Sequence, residues 1–64
     1  MMKYTFEITW NLLEDDGASI VLIVIRDTDY FRAWNNALRK AEVLTSDYEE
    51  LKSIECVSMI NERL

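Results

Sequence analysis

An α+β fold is predicted: β-β-α-β, a three-stranded antiparallel sheet in the order 2-1-3 with one helix packed on one face. Three observations predict it. From Met2 to Leu12, the apolar residues Met2, Tyr4, Phe6, Ile8, Trp10 and Leu12 alternate with Lys3, Thr5, Glu7, Thr9 and Asn11. Side chains on a strand point alternately to opposite faces, so this pattern reads as one buried and one wet face. A second run, Ile20-Val21-Leu22-Ile23-Val24-Ile25, is apolar on both faces. Between residues 30 and 44 the apolar positions recur at the helical period.

Strand one is expected to end near Leu12 or Leu13. Glu14-Asp15-Asp16-Gly17 then supplies a turn, because Asp-Gly is a strong hairpin signal and both residues tolerate positive φ. Strand two runs from Ala18 or Ser19 to Arg26. Asp27 or Thr28 is placed as the helix cap, with Asp29 as a negative charge in the first turn. On the helix, Tyr30, Phe31, Ala33, Trp34, Ala37, Leu38, Ala41 and Leu44 share one broad stripe, and Arg32, Asn35, Asn36, Arg39 and Glu42 fall opposite. Val43 lies outside the stripe and is expected to be partly exposed. The central alanines would let the helix sit close on a sheet. Ser46 and Glu49 match a capping box and suggest a short helical turn before strand three, residues 51–60.

The order 2-1-3 follows from giving the centre to strand one, the longest and best patterned. Its rival, 1-2-3, would place strand two at the centre and explain its two apolar faces. In the 2-1-3 order the helix faces Phe6, Ile8 and Trp10, and the opposite face is expected to carry Val21, Ile23 and Ile25, with Val57 and Met59 on strand three.

The composition bounds what such a fold can do. A single domain, 1–64, is expected from 64 residues. A domain of about 60 residues buries only ~60% of its unfolded surface and is marginal alone. Cys56 is the only cysteine and histidine is absent, so neither an internal disulfide nor a Cys/His zinc cluster can reinforce it. Oligomerisation remains. Half the residues are hydrophobic and none is proline, which is a folded composition. The longest apolar run, six residues, falls far short of the roughly 20 needed to span a bilayer. No signal-type apolar core follows Lys3, since Thr5, Glu7 and Thr9 interrupt it. The expectation is a soluble protein of the cytoplasm of a bacterial host cell, with no membrane partner.

The formal charge is −5, and the basic residues Lys3, Arg26, Arg32, Arg39, Lys40, Lys52 and Arg63 are scattered. Nucleic-acid binding needs clustered Lys and Arg to displace counterions, so no nucleic-acid partner is expected. With no histidine there is no base for a nucleophilic triad, and Cys56 lies beside Glu55 rather than a cation. No catalytic residue is nominated and no enzyme is expected. Gly17 is the only glycine, so no phosphate loop exists and no cofactor is assigned. The carboxylates Glu14-Asp15-Asp16 and Asp47-Glu49-Glu50 lack EF-hand spacing and are read as solvated turns, not metal ligands. Asp15, Asp16, Tyr48, Glu49 and Glu50 are instead the candidate partner surface. Val21, Ile23 and Ile25 are the candidate self-association residues, pairing strand two with its own copy as a homodimer or higher oligomer.

The runs Asp29-Tyr30-Phe31-Arg32-Ala33-Trp34-Asn35-Asn36-Ala37-Leu38-Arg39-Lys40-Ala41 and Leu51-Lys52-Ser53-Ile54-Glu55-Cys56-Val57 resemble short accessory proteins encoded by bacteriophages. Those often place a hairpin before an Ala-Trp-rich helix and a final strand. With no catalytic groups, an acidic charge, a small size and a spare apolar face, the chain is expected to be a non-enzymatic protein-binding module, phage- or mobile-element-encoded, that inhibits or modulates a host protein such as a component of a defence system. The chain is also similar in style to the dodecins, small flavin-binding oligomers that pair a split β-α-β with aromatic residues. That similarity implies the alternative, a homo-oligomeric binder of a small aromatic ligand. In dodecins the hairpin follows the helix, so no ligand-binding residue is carried over.

Overall fold

The computed structural model describes residues 1–14 and 16–62. Strands β1 (Met2–Leu12) and β2 (Ala18–Asp27) form a hairpin, α1 (Tyr30–Leu44) crosses the sheet, and β3 (Glu49–Asn61) returns beside β1. The order is β2-β1-β3 and both pairings are antiparallel. This is the predicted α+β fold, with β1 at the centre. The alternation in β1 explains why: Tyr4, Phe6, Ile8 and Trp10 are all buried, whereas Thr5, Glu7 and Thr9 are half-exposed on the other face.

The helix sits on these residues through alanines. Ala33, Ala37 and Ala41, four residues apart, are fully buried. Residues at that spacing lie above one another on a helix, so they form a narrow, flat strip without bulk. Ala33 and Ala37 pack with Tyr4, Phe6 and Ile25, and Ala41 packs with Ile8 and Trp10. Ile23 and Ile54 join both groups into one core. The buried strip is narrower than the predicted stripe. Phe31 is 77% exposed, packing edge-on to Tyr30, and Leu44 is 54% exposed. Trp34 and Leu38 are half-buried flanks. Close seating on alanine brings the helix axis down to the sheet and pushes wider positions out over its sides.

Polar groups fix both helix ends. Asp29, rather than Asp27 or Thr28, is the cap. Its carboxylate accepts from the Phe31 N–H at 2.9 Å and the Arg32 N–H at 3.4 Å, satisfying two otherwise orphan donors. Asp27 supports the cap from behind. It accepts from the Asp29 N–H at 3.0 Å and grips the Arg32 guanidinium, Nε to Oδ2 at 2.8 Å and the terminal nitrogen to Oδ1 at 2.6 Å. At the other end, Trp10 Nε1–H donates to Thr45 Oγ1 at 2.7 Å, and that hydroxyl donates to the Ala41 carbonyl at 2.7 Å. The Thr45 N–H bonds Ala41 O as well. One threonine thus closes the helix and satisfies the indole N–H of a buried tryptophan, whose loss would cost ~1–3 kcal/mol.

The Arg32 hydrogen bond, followed by the Asp29 N–H, holds the Asp27 carboxyl well below the usual carboxylate range. A depressed pKa means the folded state favours the ionised form, so the contribution is present above the unfolded value near ~3.9. It is lost as pH falls toward the folded value. Asp27→Asn should therefore lower the urea midpoint at neutral pH and flatten its decline below about pH 4. An unchanged acid limb would show that the pair contributes nothing.

The hairpin turn falls between Leu12 and Ala18, as expected, and no described residue has positive φ. Leu12 N–H donates to Gly17 O across a turn longer than two residues, and a Cβ on Gly17 would stand 3.1 Å from the Leu12 side chain. Ser46 and Glu49 do bond to each other, Ser46 N–H to Glu49 Oε1 at 3.2 Å, but around a turn and not a helix. β3 is longer than residues 51–60 and shifts register between Thr5 and Phe6 and between Thr9 and Trp10. The shifts leave Val57 and Lys52 without a partner opposite.

Candidate partner-binding edge

The pairing register decides which residues of β2 are available. Tyr4 stands opposite Ile25, Phe6 opposite Ile23 and Ile8 opposite Val21. Directly opposed residues share a face, so Val21, Ile23 and Ile25 lie on the helix side. Ile25 is buried, Ile23 packs against both parts of the core and Val21 is 38% exposed. The expectation that these three line the open face is corrected. That face instead carries Ile20, Leu22 and Val24, opposite Thr9, Glu7 and Thr5, with exposures of 61%, 60% and 43%. The expected placing of Met59 is corrected too. The bulge at Val57 shifts the phase, so Leu51, Ile54, Cys56 and Met59 oppose Trp10, Ile8, Phe6 and Tyr4 on the helix side. Ile60, opposite Lys3, joins the open face.

The two sheet edges differ. β3 interrupts its pairing with two register shifts and carries Glu49, Glu50, Lys52 and Glu55. Charges and bulges are devices that protect an edge from pairing with another chain. β2 has neither: from Ala18 to Ile25 it holds no charge, proline or register shift. Its outward backbone groups form an unprotected row.

The helix adds a wall beside that row. Toward its C-terminal end α1 presents Arg39, Lys40, Val43 and Leu44 next to Leu22 and Ile23, enclosing an open groove of about 490 Å³. Val43 is 85% exposed. These side chains hang beside β2 because the sheet stops there, and a fourth strand about 4.8 Å further out would lie against them. Leu22 belongs to the open face yet borders the groove, so apolar surface continues from one face to the other around the edge. The one clue to this groove in the sequence was Val43, the apolar residue outside the helix stripe.

The other predicted surface is assembled at one end of the molecule. Leu13 N–H donates to Tyr48 O at 2.9 Å, and Asn11 and Leu12 pair with Glu50 and Glu49. The turn after β1, with Asp16, and the connection holding Tyr48, Glu49 and Glu50 therefore meet. Tyr48, next to Asp47 and Glu49 in the chain, is 68% exposed. Asp15 lies outside the described residues. Among the described residues, no three His, Cys, Asp or Glu side chains come together as a metal-binding group, and no helix is long and apolar enough to cross a membrane. Comparison with protein-family models, curated proteins and solved structures finds no match to this chain.

Proposed function

We propose that this chain is a non-enzymatic protein-binding module, a phage or mobile-element accessory protein that acts in the bacterial cytoplasm by occupying the surface of a host protein, such as a defence component. The observation that carries this reading is the β2 edge, an unprotected strand with exposed Ile20, Leu22 and Val24 on one side and an apolar groove on the other. Small proteins seldom expose contiguous apolar surface without a contact to make. Addition of a strand supplies main-chain hydrogen bonds, and the flanking side chains supply selectivity. The resemblance of the helix to phage accessory proteins supports the source, and the small core supports a gain of stability from any partner that extends the sheet.

A second copy competes for this edge. Two β2 strands paired across a two-fold axis would join both sheets, and about 800 Å² buried per subunit would make a stable dimer. Light scattering with and without the host partner separates the two occupants.

Affinity capture from a bacterial lysate tests the reading when run in parallel with two variants. Leu22→Lys places a charge on the edge, and Tyr48→Ala alters the acidic end. A defined protein retained by the parent and by Tyr48→Ala, and lost with Leu22→Lys, is the expected result. Equal retention by all three proteins would overturn the assignment of β2 as the binding element.

A further inference from the structure

Two side chains of the groove bear on the kind of strand it accepts. Arg39 and Lys40 line the groove beside Leu22, Ile23, Val43 and Leu44. Among the described residues the salt bridges are Arg26–Glu62 and Arg32–Asp27, and neither Arg39 nor Lys40 has a carboxylate partner. The chain as a whole is acidic, with net charge −5. Unpaired cations beside an apolar groove are therefore set against the character of the rest of the surface.

Resting on the edge reading, we infer that the groove between β2 and α1 binds an extended apolar segment of a partner protein carrying a carboxylate, which adds as a fourth strand with that carboxylate toward Arg39 and Lys40. Alternation dictates the rest of the pattern. Side chains of the added strand that point to the helix side meet Ile23, Val43 and Leu44, and those between them meet Ile20, Leu22 and Val24. The matching segment is thus apolar on both faces with one acidic residue among its helix-side positions. A carboxylate there gains charge-assisted hydrogen bonds from a guanidinium or an ammonium.

The same cations weigh against a second copy. Leu22 and Ile23 are at the middle of β2, so a two-fold axis through an in-register β2 pair passes beside the groove. It would bring Arg39 and Lys40 toward their own counterparts, while the opposed stretch of β2, residues 20–25, supplies no acidic residue. Like charges facing each other across an interface oppose association and act against the wrong partner.

Short synthetic peptides test this on the intact protein. One is a run of Val, Ile and Thr with a central Glu. The second carries Lys in place of Glu, and the third is the Glu peptide with alternate backbone amides N-methylated. Binding is followed by fluorescence anisotropy, and the site by NMR shifts of the β2 amides. The Glu peptide should bind with shifts centred on Leu22 and Ile23, and the Lys peptide about tenfold more weakly. N-methylation should abolish binding. In the protein, Arg39→Glu with Lys40→Glu should reverse the order of the two peptides, with circular dichroism confirming the fold. Both positions are exposed on the helix. Equal binding of Glu and Lys peptides at β2 would overturn the acidic specificity and leave the edge reading standing. No shifts at β2 with any peptide, in a protein that light scattering shows to be monomeric, would overturn both. A stable dimer with protected β2 amides would give the edge to a second copy and sink the inference.

Discussion

Replacing Phe6 by alanine should unfold the chain. Phe6 is fully buried on the central strand, and it is the residue on which the sheet and helix meet. It lies opposite Ile23 on β2 and Cys56 on β3, and packs in the group that includes Ala33 and Ala37. Its ring centroid is 6.2 Å from that of Tyr4 and 6.3 Å from that of Tyr30, within the range of aromatic pairs. Truncating a buried phenylalanine costs about 3–5 kcal/mol, as the transfer energy is lost and a cavity remains. Its neighbours cannot move in to fill that cavity. Alanines line the helix side, and the strands are held by their ladders. Domains have total stabilities of about 5–15 kcal/mol, and one this small belongs at the lower end. Loss of the cooperative unfolding transition is the expected result. Leu38→Ala is the contrasting variant: Leu38 is only half-buried, so the cost should be smaller and the variant should fold. A cooperative Phe6→Ala transition near the parent midpoint would show that the core does not depend on this ring.

Phe6 and Leu38 differ in how fully their burial is written in the sequence. The alternation of β1 specifies its buried face residue by residue, because a strand with one wet side has only one stable phase. The alanine strip of α1 is legible for the same reason at the helical period. The phase of β2 is not legible, because a strand apolar on both faces looks the same whichever way it is turned. Its register follows from the length of the turn after Leu12, and a change of one residue there would exchange Leu22 for Ile23 on the helix side. The bulges of β3 leave only breaks in its alternation, the polar pair Lys52-Ser53 and the apolar pair Cys56-Val57, which do not by themselves say which residue is left unpaired. The two acidic clusters are legible as separate runs, and only the pairing of Leu12 with Glu49 makes the segments next to them neighbours. Arg39 reads from the sequence as an ordinary polar-face residue and Lys40 as one of the scattered basic residues, and what marks them is the absence of a fourth strand beside Leu22 and Ile23.

Adjacent residues of β2 should therefore respond in opposite ways to the same substitution. Ile23→Lys puts an amine on the helix side, where Ile23 joins both parts of the core. It forfeits part of the ~1.5–3 kcal/mol that full burial of an aliphatic side chain contributes, since Ile23 is half-buried. The lysine stem can still cover some apolar surface only if its amine reaches water along the groove. Leu22→Lys puts the same amine on the open face, opposite Glu7, where Leu22 is 60% exposed. Surface substitutions of this kind fall within about ±0.5 kcal/mol, and the opposed carboxylate should offset part of the lost β-propensity. In urea, Ile23→Lys should then unfold early while Leu22→Lys keeps the parent midpoint. Binding should move the other way relative to folding. Leu22→Lys, folded and with its helix signal in circular dichroism intact, should lose the partner, because a lysine on an edge strand blocks the approach of another chain. A folded Ile23→Lys protein beside an unfolded Leu22→Lys protein would mean that β2 is turned the other way, with Ile20, Leu22 and Val24 beneath the helix. A folded Leu22→Lys protein that still captures the partner would move the binding surface away from β2, toward the acidic end around Tyr48.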